Sequence, residues 1–562
     1  MNDNTLAVFD IEAVSAKKNK DLVMIGWYDG IEYQYFTKIN DFLDYLLKPI
    51  HNNYFIYSHF GGKYDMLFIF EAKEYIFSKG YTIEDIIIIS GAILSFSIKK
   101  YKYNKPVFTI KFADSYRILL SSLKKLTDDF NVSHKKLDFD FKGGKEFKLT
   151  PENIEYNKFD CIGLYEILNI FFSKYANDIG FTISIASTSL KVFTSKFLKE
   201  PLYVLNKNTE DFIRKSYYGG RCEVFKKHLD KGFYYDVNSL YPYVMTLEMP
   251  AGFYYEVLEF EKDKIGFYNC DVYIPENLNI PPIPFKYKNK LIFPVGKLKD
   301  IYLTSAELNL LKSLGGDYYI KSGIVFEDKK YIFKEFVDYY YKMKLEAEKT
   351  ENKSDRHIAK LFMNSLYGKF GQKRENEKYF FIDNLNIDLL KNDIFLYDFD
   401  LNLYYNKQIS KSKNILPYLS SYITSLARVE LYKHMQSVNF DVYYCDTDSL
   451  FTKTELKPSS SLGALKLEGI VENFTFNAPK DYYGILDGKE LIKKKGFFKD
   501  QAENETIIKL CSFKETIKNN KNVLSSKSKY KFLKDKKIIK KSGKNEDKRV
   551  FLNNDSIPFN FN

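Results

Sequence analysis

Apolar residues in the first 180 positions fall into short blocks, several of which end on acids. Leu6-Ala7-Val8-Phe9-Asp10-Ile11-Glu12 reads as a buried strand that closes in two carboxylates, and strand-like blocks follow at 22–28 and 54–57. Helical spacing appears at 41–47 and 63–73, then apolar strands at 86–89 and 93–98. Thr150-Pro151-Glu152 carries the marks of a helix start: a hydroxyl to cap, a proline in the first turn and an acid beside the positive end of the dipole. That helix is predicted to run through Tyr156 and Asp160 towards Tyr175. Strands mixed with flanking helices indicate an α/β domain of about 180 residues.

Beyond it, Gly219-Gly220 and Asp230-Lys231-Gly232 punctuate a strand-rich region, and Pro281-Pro282-Ile283-Pro284 marks an irregular, extended stretch. The pattern turns helical at 331–367, with a polar break at 350–355 that suggests helix-loop-helix, and returns to strands and turns at 372–414. From residue 513 onward the chain is lysine-rich and poor in apolar runs. No internal repeat is visible.

At 562 residues the chain is too long for one core, and 45% hydrophobic with 17% aromatic residues exclude a disordered protein. The net charge of +12 favours a polyanionic partner. The five cysteines (Cys161, Cys222, Cys270, Cys445, Cys511) form no C-x-x-C pair, so buried free thiols fit better than a disulfide framework or a zinc site. With neither a secretory signal nor a run of about 18 apolar residues, the expectation is a soluble intracellular protein without membrane contact.

The sharpest chemical signal is Tyr444-Cys445-Asp446-Thr447-Asp448-Ser449. Taken alone, a D-x-D here reads first as an Asp-rich turn; taken with other acids it reads as a divalent-cation site, because two such charges repel unless neutralised. Those other acids exist. The strand over 232–235 delivers Asp236 into Val237-Asn238-Ser239-Leu240-Tyr241-Pro242, and two-metal phosphoryl transfer needs carboxylates from separate strands. Between the two lies Lys360-Leu361-Phe362-Met363-Asn364-Ser365-Leu366-Tyr367-Gly368. On a helix Lys360, Asn364 and Tyr367 share a face that suits a triphosphate, a sugar and a base, although an amphipathic helix with an ordinary polar stripe has the same pattern.

D-x-N-S-L-Y-P, K-x-x-x-N-S-L-Y-G-K and Y-C-D-T-D-S, in that order, resemble motifs A, B and C of family B DNA polymerases. The spelling is most similar to the protein-primed branch of small phages, adenoviruses and linear plasmids. Tyr217-Tyr218-Gly219-Gly220 resembles the Y-x-G-G motif between exonuclease and polymerase domains, Thr424-Ser425-Leu426-Ala427-Arg428 the T-x-x-A-R template contact, and Lys480-Asp481-Tyr482 the K-x-Y motif at the primer terminus.

The resemblance implies an RNase H-like 3′–5′ exonuclease domain followed by a right-hand polymerase, α/β and α+β in class. Asp236 and Asp448 would bind two Mg2+ ions (Mn2+ substituting), with the Val237 carbonyl as a further ligand and Asp446 as a neighbouring acid. Lys360 and Lys344 would pair with triphosphate oxygens, and Tyr241 would stack under the deoxyribose. Asn364, Tyr367 and Gly368 would contact the nascent base pair, while Lys480 and Tyr482 would steady the primer. In the exonuclease, Asp10, Glu12, Asp65 and Asp160 would hold two metals and Tyr156 would orient water; Ser122 and Leu123 match the single-strand contact and Lys136 the K-x-x-hydrophobic motif. Two departures stand out: Phe60 where the family carries Asn, and Ala13 where it carries Thr. Both positions normally touch the frayed strand, and Phe60 would compensate by stacking on a base.

The implied organisation is an exonuclease over 1–180 and a polymerase over 181–562, with palm at 181–249 and 417–498, a first insertion at about 250–330, fingers at about 331–371, a second insertion at about 372–416 and a thumb at about 499–562. The expected partners are template and primer DNA, dNTPs, a terminal (priming) protein and a single-strand DNA-binding protein. The protein is expected as a monomer or a heterodimer with the priming protein, in bacterial cytoplasm for a phage, or cytoplasm or mitochondrion for a linear plasmid. A nucleic-acid-primed family B repair polymerase, and a degenerate DNA-binding scaffold, remain the alternatives.

Overall fold

The strand Thr5–Ala13 is the axis of a ten-stranded mixed sheet. It pairs antiparallel with Leu22–Tyr28 on one side and parallel with Tyr54–Ser58 on the other, and Lys105–Asp114 continues the parallel run. Parallel strands are covered on both faces, which accounts for the nearly unbroken apolar block that opens the chain. The helix Pro151–Ile170 crosses this strand; Thr150 caps it as its spacing predicts, its hydroxyl accepting the Asn153 N–H at 3.3 Å, with Pro151 in the first turn. The computed structural model describes residues 4–14, 21–139, 146–381, 393–457, 459–494 and 548–561, and the backbone of one further strand pair, Thr516–Leu524 with Leu533–Lys541.

The second half is organised by a seven-stranded antiparallel sheet centred on His228–Val237. Ser449–Thr452 pairs with that strand on one side, placing Ser449 opposite Asp236; Leu465–Ala478 pairs on the other, placing Lys466 opposite Asp236. Val442–Asp446 lies outside Ser449–Thr452, joined to it by the two-residue turn Thr447-Asp448. Two antiparallel helices, Lys334–Lys349 and Lys353–Phe370, stand over the sheet, and the Asn352 side chain caps the second by accepting the Asp355 N–H at 3.0 Å.

The interval 250–330 is a sheet of its own. Met249–Val257, Asp317–Lys330, Ile265–Ile274 and Val295–Thr304 pair in that order, with helix Ser305–Ser313 between the last of them and Asp317. Residues 548–561, the end of the interval read as a thumb, join that sheet: Asn560–Phe561 pairs parallel with Val295–Gly296, and the Ser556 hydroxyl donates to the Phe225 carbonyl at 2.7 Å. The rest of 499–562, apart from the backbone strand pair, lies outside the described residues, as does Cys511. Cys161, Cys222, Cys270 and Cys445 are free thiols. Among the described residues no helix is long and apolar enough to cross a membrane.

The strands at 372–414 do not stand apart. Glu375–Phe381, Leu403–Ile409 and Ile394–Asp398 extend the N-terminal sheet through a bridge between Tyr379 and Ile86. Phe381, fully buried, places its ring 5.2 Å from Phe70 and 6.0 Å from Phe77. A single backbone bridge is a weak tether, so buried side chains carry the junction, Phe381 with Tyr379, Leu401 and Leu403 in the N-terminal core. Phe381→Ala is predicted to cost about 3–5 kcal/mol and to open residues 375–409 to limited proteolysis while the rest of the chain resists.

Candidate active sites

Two acid centres emerge, one on each sheet. In the N-terminal centre, Asp10 and Glu12 leave one face of the opening strand, two residues apart, and Asp160 reaches them from the helix behind. Oxygens of these three carboxylates lie within 4.8 Å of one another, the only such triplet among the described residues. Burial raises all three pKa values; repulsion from Asp10 and Asp160 adds to it at Glu12, which goes well above its usual range, and repulsion from Asp10 adds to it at Asp160, which reaches about 7 despite the opposing pull of Lys136. Asp65, which begins the helix Asp65–Glu71, stands beside the triplet; its Oδ1 accepts the Ile11 N–H at 3.3 Å, and burial, then Asp10, push its carboxyl well up.

Lys136 falls inside this centre. Its ammonium donates to the Tyr156 hydroxyl at 2.8 Å and to Asp160 Oδ2; burial works against its charge, but Asp160, Tyr156 and Asp10 outweigh burial and hold it protonated. Asn157, which sequence reasoning missed, donates to Asp10 Oδ2 at 2.9 Å and so fixes that carboxylate. One oxygen is left over: Asp160 Oδ1 is buried with no hydrogen-bond partner. An orphan carboxylate oxygen facing two more acids fits a divalent cation, which takes oxygen ligands and cancels the repulsion. Ser122 is exposed as the cap of helix Leu123–Asp129, accepting the Lys125 N–H at 3.4 Å; Leu123 is instead a core residue.

In the second centre, sheet register brings Asp236 against the turn that carries Asp448. The Val237 N–H donates to the Asp448 carbonyl at 2.6 Å, and the Asp448 N–H to the Asp446 carbonyl at 2.7 Å. Thr447 takes φ +65°, a costly conformation for a β-branched residue, and its N–H is held by the Arg221 carbonyl at 2.6 Å. Burial, then Asp448, raise the Asp236 carboxyl to about 7; burial, then Asp446, raise Asp448. Asp446 differs from the other two in having a cation at hand, Lys480 Nζ 3.3 Å from its Oδ1.

The helix Lys353–Phe370 presents Lys360 and Asn364 to solvent on one face, with Tyr367 half-buried on the same side. Tyr367 stacks on Tyr241 at 4.6 Å and 3° between ring planes, so the first and second motif segments meet directly. Lys344 donates to Asn238 Oδ1 at 3.1 Å, on the turn that follows Asp236. Two residues that the sequence reading did not single out join them on the strand opposite Asp236: Lys466, and Glu468, whose charge adds to the elevation of Asp236. Gly368 faces open space.

Three expected strand contacts have other work. Arg428 is 4% exposed; its guanidinium is committed to Glu307 Oε1 at 2.6 Å and to the Tyr218 and Gly219 carbonyls at 2.8 and 2.9 Å. Thr424 is buried and donates within its own helix to Ser421. Tyr482, also buried, packs in a cluster with Tyr444, Phe451 and Phe476. Arg428 therefore acts from beneath the Tyr217–Gly220 loop. That loop in turn abuts the acid turn: a Cβ on Gly220 would stand 2.8 Å from Thr447 Cγ2, so only glycine permits the approach. Tyr217 packs under Gly371 at the end of the helix Lys353–Phe370, and Gly219 is exposed.

A family model for DNA polymerase type B, organellar and viral, matches residues 48–150 and 146–444. The chain belongs to that family. It is 28% identical over 539 residues to a probable DNA polymerase of Neurospora intermedia, covering 82% of this chain and 55% of that one. Against the DNA-directed DNA polymerase of Enterobacteria phage PRD1 it is 26% identical, covering 87% and 84%. The chain spans about half the length of three fungal relatives it matches, those of Neurospora intermedia, Ascobolus immersus and Podospora anserina, at 55%, 47% and 43%. Among solved structures it is similar to Phi29 DNA polymerase, with a TM-score of 0.75 at 22% identity over 95% of this chain and 100% of that one. The same enzyme complexed with primer-template DNA and incoming nucleotide matches at 0.74.

Two predictions follow from the charges. Asp160 and Asp236 bind a proton more tightly folded than unfolded, so the stability they lend below about pH 4 is lost as pH rises from 3.8 through about 7. Melting temperature without metal should fall across that window, and a divalent cation should restore more of it at pH 8 than at pH 6, where protons compete for the ligands. Glu307→Ala strands the buried Arg428 charge and should cost about 3–5 kcal/mol in denaturant unfolding; a loss below about 1 kcal/mol would show the pair to be incidental.

Proposed function

We propose that this chain is a replicative DNA-directed DNA polymerase with a 3′–5′ proofreading exonuclease, the acid triplet serving hydrolysis and the Asp236–Asp448 centre serving nucleotidyl transfer. The observation that carries the reading is the register that places Asp236 against the Asp446–Asp448 turn, under a finger helix bearing Lys360 and the stacked Tyr241–Tyr367 pair. Asp236 and Asp448 lie where a pair of Mg2+ ions would be held, and ions there would lower the pKa of a primer 3′-hydroxyl and neutralise the leaving pyrophosphate.

The chain's own groups do the rest. Lys360 and Lys344 hold triphosphate oxygens from the finger side. Tyr241 lies under the sugar and excludes a 2′-hydroxyl by its ring. Lys480 holds Asp446 and leaves the other two acids to the cations. In the exonuclease, Lys136 and Tyr156 orient water at Asp160. The exonuclease spans about 1–180; palm, fingers and the two insertions take the intervals given by the sequence. Template and primer bind to a chain of net charge +12, so affinity falls steeply with salt.

Initiation on a terminal protein rests on the spelling of the three motifs and on the two insertions. Incubating the enzyme with dATP and its candidate terminal protein should yield a protein–nucleotide adduct; extension of a DNA primer without any adduct would favour the nucleic-acid-primed alternative. For polymerisation itself, Asp448→Ala should reduce primer extension by at least about 1,000-fold with DNA binding retained, while Asp10→Ala should abolish hydrolysis and spare extension. Extension undiminished in Asp448→Ala would end the assignment.

A further inference from the structure

We propose that Asp355 and His357, on the helix that carries Lys360 and Asn364, are positioning residues for the N-terminal acid centre. They form a latch on two of its elements, and so set how a primer terminus divides between the two centres. The proposal rests on the reading of those centres as exonuclease and polymerase.

Leu120 shows why one of those elements needs holding. It ends the short helix Tyr116–Leu119 with φ +49°, where glycine or asparagine is the usual residue and a bulky side chain is strained. Its side chain is 41% exposed, so burial does not offset that strain. The carbonyls on either side of it are gripped instead. The Leu119 carbonyl accepts the His357 Nε2–H at 2.7 Å, and the Ser121 carbonyl accepts the His59 Nε2–H at 2.9 Å. Strain persists where the surroundings over-determine it, and here the two grips come from different halves of the chain. His59 follows the strand Tyr54–Ser58 of the N-terminal sheet, whereas His357 stands on the helix over the second centre. Ser122, whose spelling is that of a single-strand contact, comes next and is exposed at the head of the helix Leu123–Asp129.

Asp355, two residues before His357, binds a second element of the same centre. Its Oδ1 accepts Lys174 Nζ at 2.6 Å and also the Tyr175 hydroxyl. Both partners lie in Phe171–Tyr175, which continues the helix Pro151–Ile170 that carries Tyr156 and Asp160. With Lys174 half exposed, this ion pair adds little stability. Its value is geometric: the carboxylate takes two donors from one turn, while its other oxygen accepts Asn352 Nδ2 at 3.1 Å. Lys360 follows His357 by three residues, about 4.5 Å along the helix axis. The lysine assigned to the triphosphate and the histidine that grips the strand-entry segment therefore share one turn of one helix.

The test uses the full chain with Mg2+ and a matched primer-template, and measures the dNTP concentration at which extension just balances hydrolysis. His357→Leu removes the donor, and Lys174→Met removes the ion pair from the opposite side. Each should lower the balancing concentration about 2- to 10-fold, because a loosened segment holds the frayed end less well. Extension at saturating dNTP and the maximal rate of single-strand hydrolysis should keep their wild-type values, with KM for the single strand raised. His357→Gln, whose amide N–H can reach the same carbonyl, should restore the balance. An unchanged balance in both His357→Leu and Lys174→Met overturns the latch, as does a His357→Gln variant no better than His357→Leu. Asp10→Ala is assayed alongside. If it abolishes hydrolysis while the balance stays put in the latch variants, the exonuclease stands and the latch fails; hydrolysis that survives Asp10→Ala removes both.

Discussion

Repulsion between carboxylates gathered out of water is the constraint on which both sites depend. Two charges about 4 Å apart cost about 4 kcal/mol at an effective dielectric of 20, and the N-terminal centre brings three acids together. Each centre carries partial relief in its own lysines, Lys136 on Asp160 and Lys480 on Asp446. The remainder shows as raised carboxyl pKa values and as an orphan oxygen on Asp160, both of which a divalent cation removes. Backbone strain at Thr447 and Phe60 falls beside the same two centres, as expected where geometry is held against local preference.

What holds the second centre in place is spread across the chain. Helix Ser305–Ser313 begins with a capping box in which Glu307 Oε2 accepts the Thr304 N–H at 3.0 Å, while its Oε1 takes Arg428. Arg428 fixes the Tyr218 and Gly219 carbonyls, and Gly220 then seats against Thr447 in the acid turn. A buried ion pair is a poor source of net stability but a good specifier of geometry when every partner is satisfied. Residues 250–330 thus reach the acid turn through the Glu307–Arg428 pair, the Tyr218 and Gly219 carbonyls and the Gly220–Thr447 contact.

The acid-bearing turns were legible because their chemistry is local: a strand that ends on Asp10 and Glu12, a hairpin that turns through Thr447, a helix capped by Thr150. Those readings need only spacing and period. Less legible was whatever depends on distant partners. Arg428 and Tyr482 have the spelling of strand contacts, but Glu307 lies 121 positions from Arg428, and Tyr482 meets its aromatic cluster through sheet pairing. The strand Lys105–Asp114 hides its period behind lysines whose stems lie along the sheet, one of them, Lys111, over the Phe55 ring. Nothing in the run from 375 to 409 announces that it joins the N-terminal sheet, since the partner of Glu375–Phe381 there, Thr82–Ile89, lies far earlier in the chain.

Counting cations tests the account most directly. Manganese binding to the full chain at pH 8, followed by electron paramagnetic resonance, should reveal two separable classes of site. Asp236→Asn with Asp448→Asn should remove one class and leave the other, and Asp10→Asn with Glu12→Gln should do the reverse. A single class lost in both double variants, or binding that neither alters, would contradict the account.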